Sequence, residues 1–184
     1  YVNNNPVGFV DPNGLLRRRA DGQLQVEVVG PAILQAPTKH NPGGIGSEGE
    51  MASAWKVYLF ANDGTKIEAF LNKEPGRKPH FTSDCHGRTF ADGKFWINND
   101  QIETLLAADG YFTPDIPQLG DAVIYRNDRG EVKHSMTITG IDAHTGEITV
   151  TGQQGTDPTI FSRPSGNGFD SIEPTTPTIY HLRQ

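Results

Sequence analysis

The spacing of apolar residues changes character along the chain, and each change predicts a different element. Leu24-Gln25-Val26-Glu27-Val28 alternates with a period of two, a strand pattern. Trp55-Lys56-Val57-Tyr58-Leu59-Phe60 and Lys66-Ile67-Glu68-Ala69-Phe70-Leu71 flank Asn62-Asp63-Gly64, which predicts a hairpin. Over residues 100–109 the period becomes helical. Ile102, Leu105 and Leu106 fall on one face, Asp100 and Glu103 stand at capping-box spacing, and Gly110 supplies a stop. Three further strands are predicted, Ala122 to Arg126, Val132 to Ile141 and Glu147 to Thr151. The turns Asp128-Arg129-Gly130 and Ala143-His144-Thr145-Gly146 separate them. A helix followed by an antiparallel meander is an α+β order. Residues 155–177, rich in Gly, Pro, Ser and Thr, predict loop, and Thr178 to Leu182 a short closing strand.

The chemistry concentrates at Ser83-Asp84-Cys85-His86-Gly87-Arg88-Thr89-Phe90. Ser83 or Asp84 can cap a helix that begins at Cys85. A helix start favours negative charge and lowers a thiol's pKa, so Cys85 is placed as a nucleophile. The alternative is a buried small hydrophobe, which the polar neighbours disfavour. Of the six histidines, His40, His144 and His181 lie in linker, turn or terminus and are expected to be solvated. His86 diverges from Cys85 by about 100° on a helix and is poorly aimed at its sulfur. His134, at the start of a long apolar strand, is the base this pattern favours, with His80 in reserve. Counting back across the 142–147 turn brings Gln153 and Gln154 near His134. Either amide can orient an imidazole, and period two lets only one share the histidine's face.

Composition narrows the possibilities. The chain has 184 residues, enough for one domain and an appended segment, and its 21 glycines and 13 prolines favour turns over a helical bundle. A formal charge of −6 disfavours nucleic acid as a partner, and with it a nuclease built on the histidines. No apolar run is long enough for a membrane span. No signal-peptide pattern is present, and one cysteine excludes an internal disulfide. No further His or Cys stands at ligand spacing, so neither a metal nor any other cofactor is expected. Arg17-Arg18-Arg19 reads as a solvated patch or processing region.

Two resemblances add to this. Tyr1-Val2-Asn3-Asn4-Asn5-Pro6-Val7-Gly8-Phe9-Val10-Asp11-Pro12-Asn13-Gly14-Leu15 resembles the end of an RHS-repeat core, the shell of polymorphic toxins, in which an Asp-Pro-x-Gly motif precedes a variable C-terminal toxin. Asp84-Cys85-His86-Gly87, Pro117-Gln118-Leu119-Gly120-Asp121 and His134-Ser135-Met136, in that order, are similar to the motifs of NlpC-type and CHAP-type cysteine amidases of papain-like fold. Their third site residue would be Gln here, in place of the usual His, Asn, Asp or Glu.

The resemblances imply residues 1–15 as the end of an RHS core, 16–50 as a linker with a possible strand, and 51–184 as a papain-like domain with its Cys-bearing helix on the meander. They imply a secreted effector, delivered into a target cell, that acts as a thiol amidohydrolase on peptidoglycan peptide or protein. Its partners would be the parent RHS shell and a cognate immunity protein. Cys85 would attack, His134 would move the proton, and Gln153 or Gln154 would orient the ring. A glutamine deamidase would use the same site, and a non-enzymatic binding module is the alternative from another class.

Overall fold

Two runs of alternating apolar side chains joined by a tight turn make the first sheet. β1 (Val26–Gln35), β2 (Met51–Phe60) and β3 (Lys66–Asn72) pair antiparallel in the order β1-β2-β3. Val57 and Leu59 of β2 face the same side as Ala69 and Ile67 of β3, and all four are fully buried. The hairpin turn is the one expected at Asn62-Asp63-Gly64, closed by Ala61 N–H to Thr65 O and Gly64 N–H to Ala61 O. Its Gly64 has φ 97°, a left-handed value that costs glycine little.

The computed structural model describes residues 16–35, 51–73, 83–153, 160–165 and 175–183. Over its described part, the stretch read as linker belongs to this folded body. Leu16 and Leu24 are buried in the main core. Arg18 forms a bidentate pair with Asp92 at 2.8 and 2.7 Å, and Arg17 donates to the Asn62 carbonyl at 2.9 Å. Leu16 lacks local periodicity, because residues far along the chain supply the core it enters.

The second sheet follows two short helices. α1 (Cys85–Phe90) ends in a turn at Asp92 and Gly93, both with positive φ. A 3-10 turn, Asn99–Gln101, leads into α2 (Ile102–Asp109), which Gly110 terminates at φ 78°. The capping box expected at Asp100 and Glu103 does not form. The 3-10 turn satisfies the helix start instead, and Glu103 pairs with Arg126 at 2.7 Å. Then come β4 (Tyr111–Phe112), β5 (Ala122–Asn127), β6 (Val132–Ile141), β7 (Ile148–Gln153), β8 (Ile160–Pro164) and β9 (Thr175–Leu182). Their order is β4-β9-β5-β6-β7-β8, antiparallel throughout. The meander is therefore the predicted one, and the class is mixed and strand-rich. β8 lies where loop was expected, and β9 is longer than the predicted closing strand and sits between β4 and β5.

α1, α2 and one face of each sheet share a core that includes Leu59, Ile67, Phe90, Ile102, Leu105 and Ile124. Phe70 of β3 and Trp96, in the segment after α1, are tied by reciprocal main-chain bonds of 2.8 Å. The larger sheet coils strongly: Tyr125 of β5 reaches past two strands to donate its hydroxyl to Ser165 O, 3.3 Å away at the end of β8. Its inner face holds a second apolar cluster of Val123, Tyr125, Met136, Ile138 and Val150. No helix among the described residues is long and apolar enough to cross a membrane.

Candidate active site

α1 starts where the sequence places it. Asp84 is the N-cap, with Oδ1 accepting from Gly87 N–H at 2.7 Å and from Ile97 N–H at 3.2 Å. Cys85 is the first helical residue. The third residue must be glycine: a Cβ at Gly87 would lie 1.6 Å from the Phe95 carbonyl oxygen, so α1 packs on that backbone with no room for a side chain. The Asp-Cys-x-Gly motif thus has a packing requirement at its last position, independent of any chemistry.

β6 carries the facing residues. Its ladder with β7 runs from Ile141↔Ile148 to Thr137↔Thr151 and stops there, with a register shift between Ile138 and Gly140. That bulge moves β7 by one residue relative to an unbroken hairpin count and so reverses which side chains share a face. Gln153 consequently falls on the face of Ser135, not of His134. Its amide closes on Ser83, accepting from Ser83 Oγ at 3.0 Å and donating to Ser83 O at 2.9 Å. Gln154 and His80 lie outside the described residues.

Beyond the last β6–β7 pair, Ser135 faces the start of α1, and main-chain N–H groups of Ser135, His86 and Cys85 act to lower the Cys85 thiol pKa. The Ser135 hydroxyl reaches α1 as well. It lies 2.8 Å from His86 Nδ1, 3.1 Å from Thr89 Oγ1 and 3.3 Å from Cys85 O. His86 Nε2 lies 2.9 Å from Asn99 Oδ1. The expectation that His86 is aimed away from the sulfur agrees with this placement. His134, next to Ser135, points to the opposite face of β6. There it sits across from Tyr125 in the β5 register, with ring centroids 6.0 Å apart.

The charge states differ from those expected of a helix-start cysteine. Cys85 is 6% exposed. Burial, and then the charge of Asp84, push its thiol well above the ordinary range, outweighing the nearby N–H groups. Burial pushes Asp84 up to about 7 and His86 down to about 4. His134, almost fully enclosed, is also driven low, chiefly by burial and further by His86 and Arg163. The described form therefore holds a neutral thiol and neutral imidazoles in a closed site. The lowered thiol pKa expected from the helix start is not found, because one short helix offers too little field to offset desolvation.

No family model, curated protein or solved structure matches the chain. The assignment of the site therefore rests on its geometry. Among the described residues no cluster of three or more His, Cys, Asp or Glu side chains can hold a metal. Sequence reasoning missed Ser135 and Asn99. Ser135 was detectable as a polar residue at a helix-facing position of an apolar strand. Asn99 carried no local signal. His181, expected to be solvated, instead pairs through Nδ1 with the buried Asp121 carboxylate. His144 is exposed at its turn, as expected.

Proposed function

We propose that the chain is a thiol amidohydrolase with Cys85 as nucleophile and His134 as base; because His134 projects from the face of β6 opposite the one that α1 covers, the reading requires its ring to reach the thiol past Ser135, where the β6–β7 ladder ends. One observation carries the reading: Cys85, the first residue of α1, packs on β6 at Ser135, the residue that follows His134, with Ser135 Oγ 3.3 Å from the Cys85 carbonyl. Main-chain N–H groups at the start of α1 suit support of the oxyanion that forms on the substrate carbonyl during attack. With thiol and imidazole both neutral, the proton moves as the nucleophile attacks, in general-base fashion, rather than beforehand. The thiol adds to the amide carbonyl, its proton passes through His134 to the leaving amine, and water then releases the acyl group from the thioester.

The papain-like arrangement and the toxin context belong to this proposal. The toxin context rests on residues 1–15 and the third site residue on Gln153 or Gln154. Residues 1–15 and Gln154 lie outside the described residues, and Gln153 is held by Ser83. An effector of this kind would act in a target cell, on peptidoglycan peptide or protein, and meet an immunity protein there.

The test is to incubate the purified protein with muropeptides and with a glutamine-containing protein, following both by mass spectrometry. Expected are cleaved amide products and a covalent acyl adduct on Cys85, with both absent in Cys85→Ala and product formation reduced at least about 100-fold in His134→Gln. Ammonia release without chain cleavage would assign the deamidase form. Undiminished turnover by Cys85→Ala would remove the proposal.

A further inference from the structure

A chain of side chains connects the protein surface to the proposed nucleophile. Asn99 is exposed at the start of the 3-10 turn, whereas His86 and Ser135 are fully buried. With Asn99 Oδ1 as acceptor, His86 Nε2 carries the ring proton, so Nδ1 accepts from the Ser135 hydroxyl. The same residue, Ser135, also reaches Cys85, its hydroxyl lying 3.3 Å from the Cys85 carbonyl.

The Ser135 hydroxyl has somewhere else to turn. The Cys85 carbonyl at 3.3 Å and Thr89 Oγ1 at 3.1 Å can each take its proton. If His86 became imidazolium, Nδ1–H would donate to Ser135 Oγ, and the hydroxyl would rotate with no heavy-atom movement. The ring at the second position of α1 can thus hold either charge state without stranding a polar group. Only the charged state would favour a thiolate next to it.

We infer that Asn99, His86 and Ser135 form a positioning relay, through which the group at surface position 99 sets the proton affinity of the Cys85 thiol. Its catalytic meaning rests on the reading of Cys85 as nucleophile, whereas the relay itself can be measured on the thiol alone. In the native chain a neutral amide at position 99 leaves the ring uncharged, in keeping with a His86 pKa lowered to about 4. The other ionisable groups facing this chain are Asp84, ahead of the thiol, and His134, whose ring senses His86 and Arg163.

The experiment is the rate of Cys85 alkylation by iodoacetamide from pH 5 to 10, read by intact mass. Asn99→Asp sets a carboxylate against Nε2. It is expected to speed labelling at pH 7 at least about threefold and to move the profile to lower pH. Adding Ser135→Ala removes the acceptor for Nδ1–H and should cut that gain to less than about 1.5-fold. Asn99→Ala, at an exposed position, should show no gain. Nitrogen NMR of the native protein at pH 7 should find His86 as the Nε2–H tautomer.

Superimposable alkylation profiles for native and Asn99→Asp proteins with equal melting temperatures, or an Nδ1–H tautomer, would overturn the relay. The two readings separate cleanly. A shifted profile with undiminished hydrolysis by Cys85→Ala retains the relay and removes the nucleophile. A flat profile with an inactive Cys85→Ala does the reverse.

Discussion

On the face of the six-stranded sheet that α1 covers, Ser135 and Gln153 spread hydrogen bonds to His86, Thr89 and Ser83. On the coiled inner face, the same two strands contribute Met136, Ile138 and Val150 to an apolar cluster, with His134 at its end. The covered face fixes positions, because each polar group there is tied to a partner on another element. The inner face fixes a charge state, because an imidazole among apolar side chains is held neutral. Cys85 lies where the β6–β7 ladder ends, between the two regimes.

The contrast is broken most severely on the covered face. Gly87→Ala drives a methyl into the Phe95 carbonyl, and neither backbone can yield without losing the helix cap. We expect a fall in melting temperature of more than about 10 °C, or no folded protein at all, by circular dichroism.

The inner face should behave differently. Met136→Ala, at a fully buried position, is expected to cost about 2–5 kcal/mol in urea unfolding. The pH profile of Cys85 alkylation should stay as in the native protein. A displaced profile would show that the two faces are not independent.

Asp84→Asn sharpens the comparison through pH. Burial raises the Asp84 pKa from near 4 to about 7. Between those values the folded chain binds more protons than the unfolded one, so stability falls as pH rises. The contribution is complete below about pH 4 and lost on passing about pH 7. The asparagine keeps an oxygen for Gly87 and Ile97 N–H but carries no charge. Its stability relative to the native protein should therefore climb by about 4 kcal/mol from pH 4 to pH 8. Its thiol should also titrate lower, since the Asp84 charge helps to raise the native value. A pH-independent difference would contradict the buried-carboxylate reading.

The parts of this architecture visible in the sequence were those with local causes. The Asn62-Asp63-Gly64 turn, the Gly110 stop, the Asp84 cap and the whole of β6 follow from patterns within a few residues. The glutamines were not assigned correctly, because the bulge between Ile138 and Gly140 decides which of them faces His134, and Gly140, its one local signal, was not read as a bulge. The raised thiol pKa was hidden for a related reason. Polar neighbours in sequence imply solvent, yet Ser83, Asp84, His86 and Thr89 are all buried, each with a partner across the chain. Leu16 and Leu24 show the same limit, since their core neighbours include residues such as Phe90 and Ile124.

The Arg18–Asp92 clamp and the seat of Leu16 have a practical consequence for choosing expression boundaries. A shortened chain that starts at residue 20 would take Leu16 out of the main core and strip the Asp92 carboxylate, just after α1, of its guanidinium. One that starts ahead of Leu16 keeps both contacts, so boundaries for crystallisation or secretion tags belong on that side.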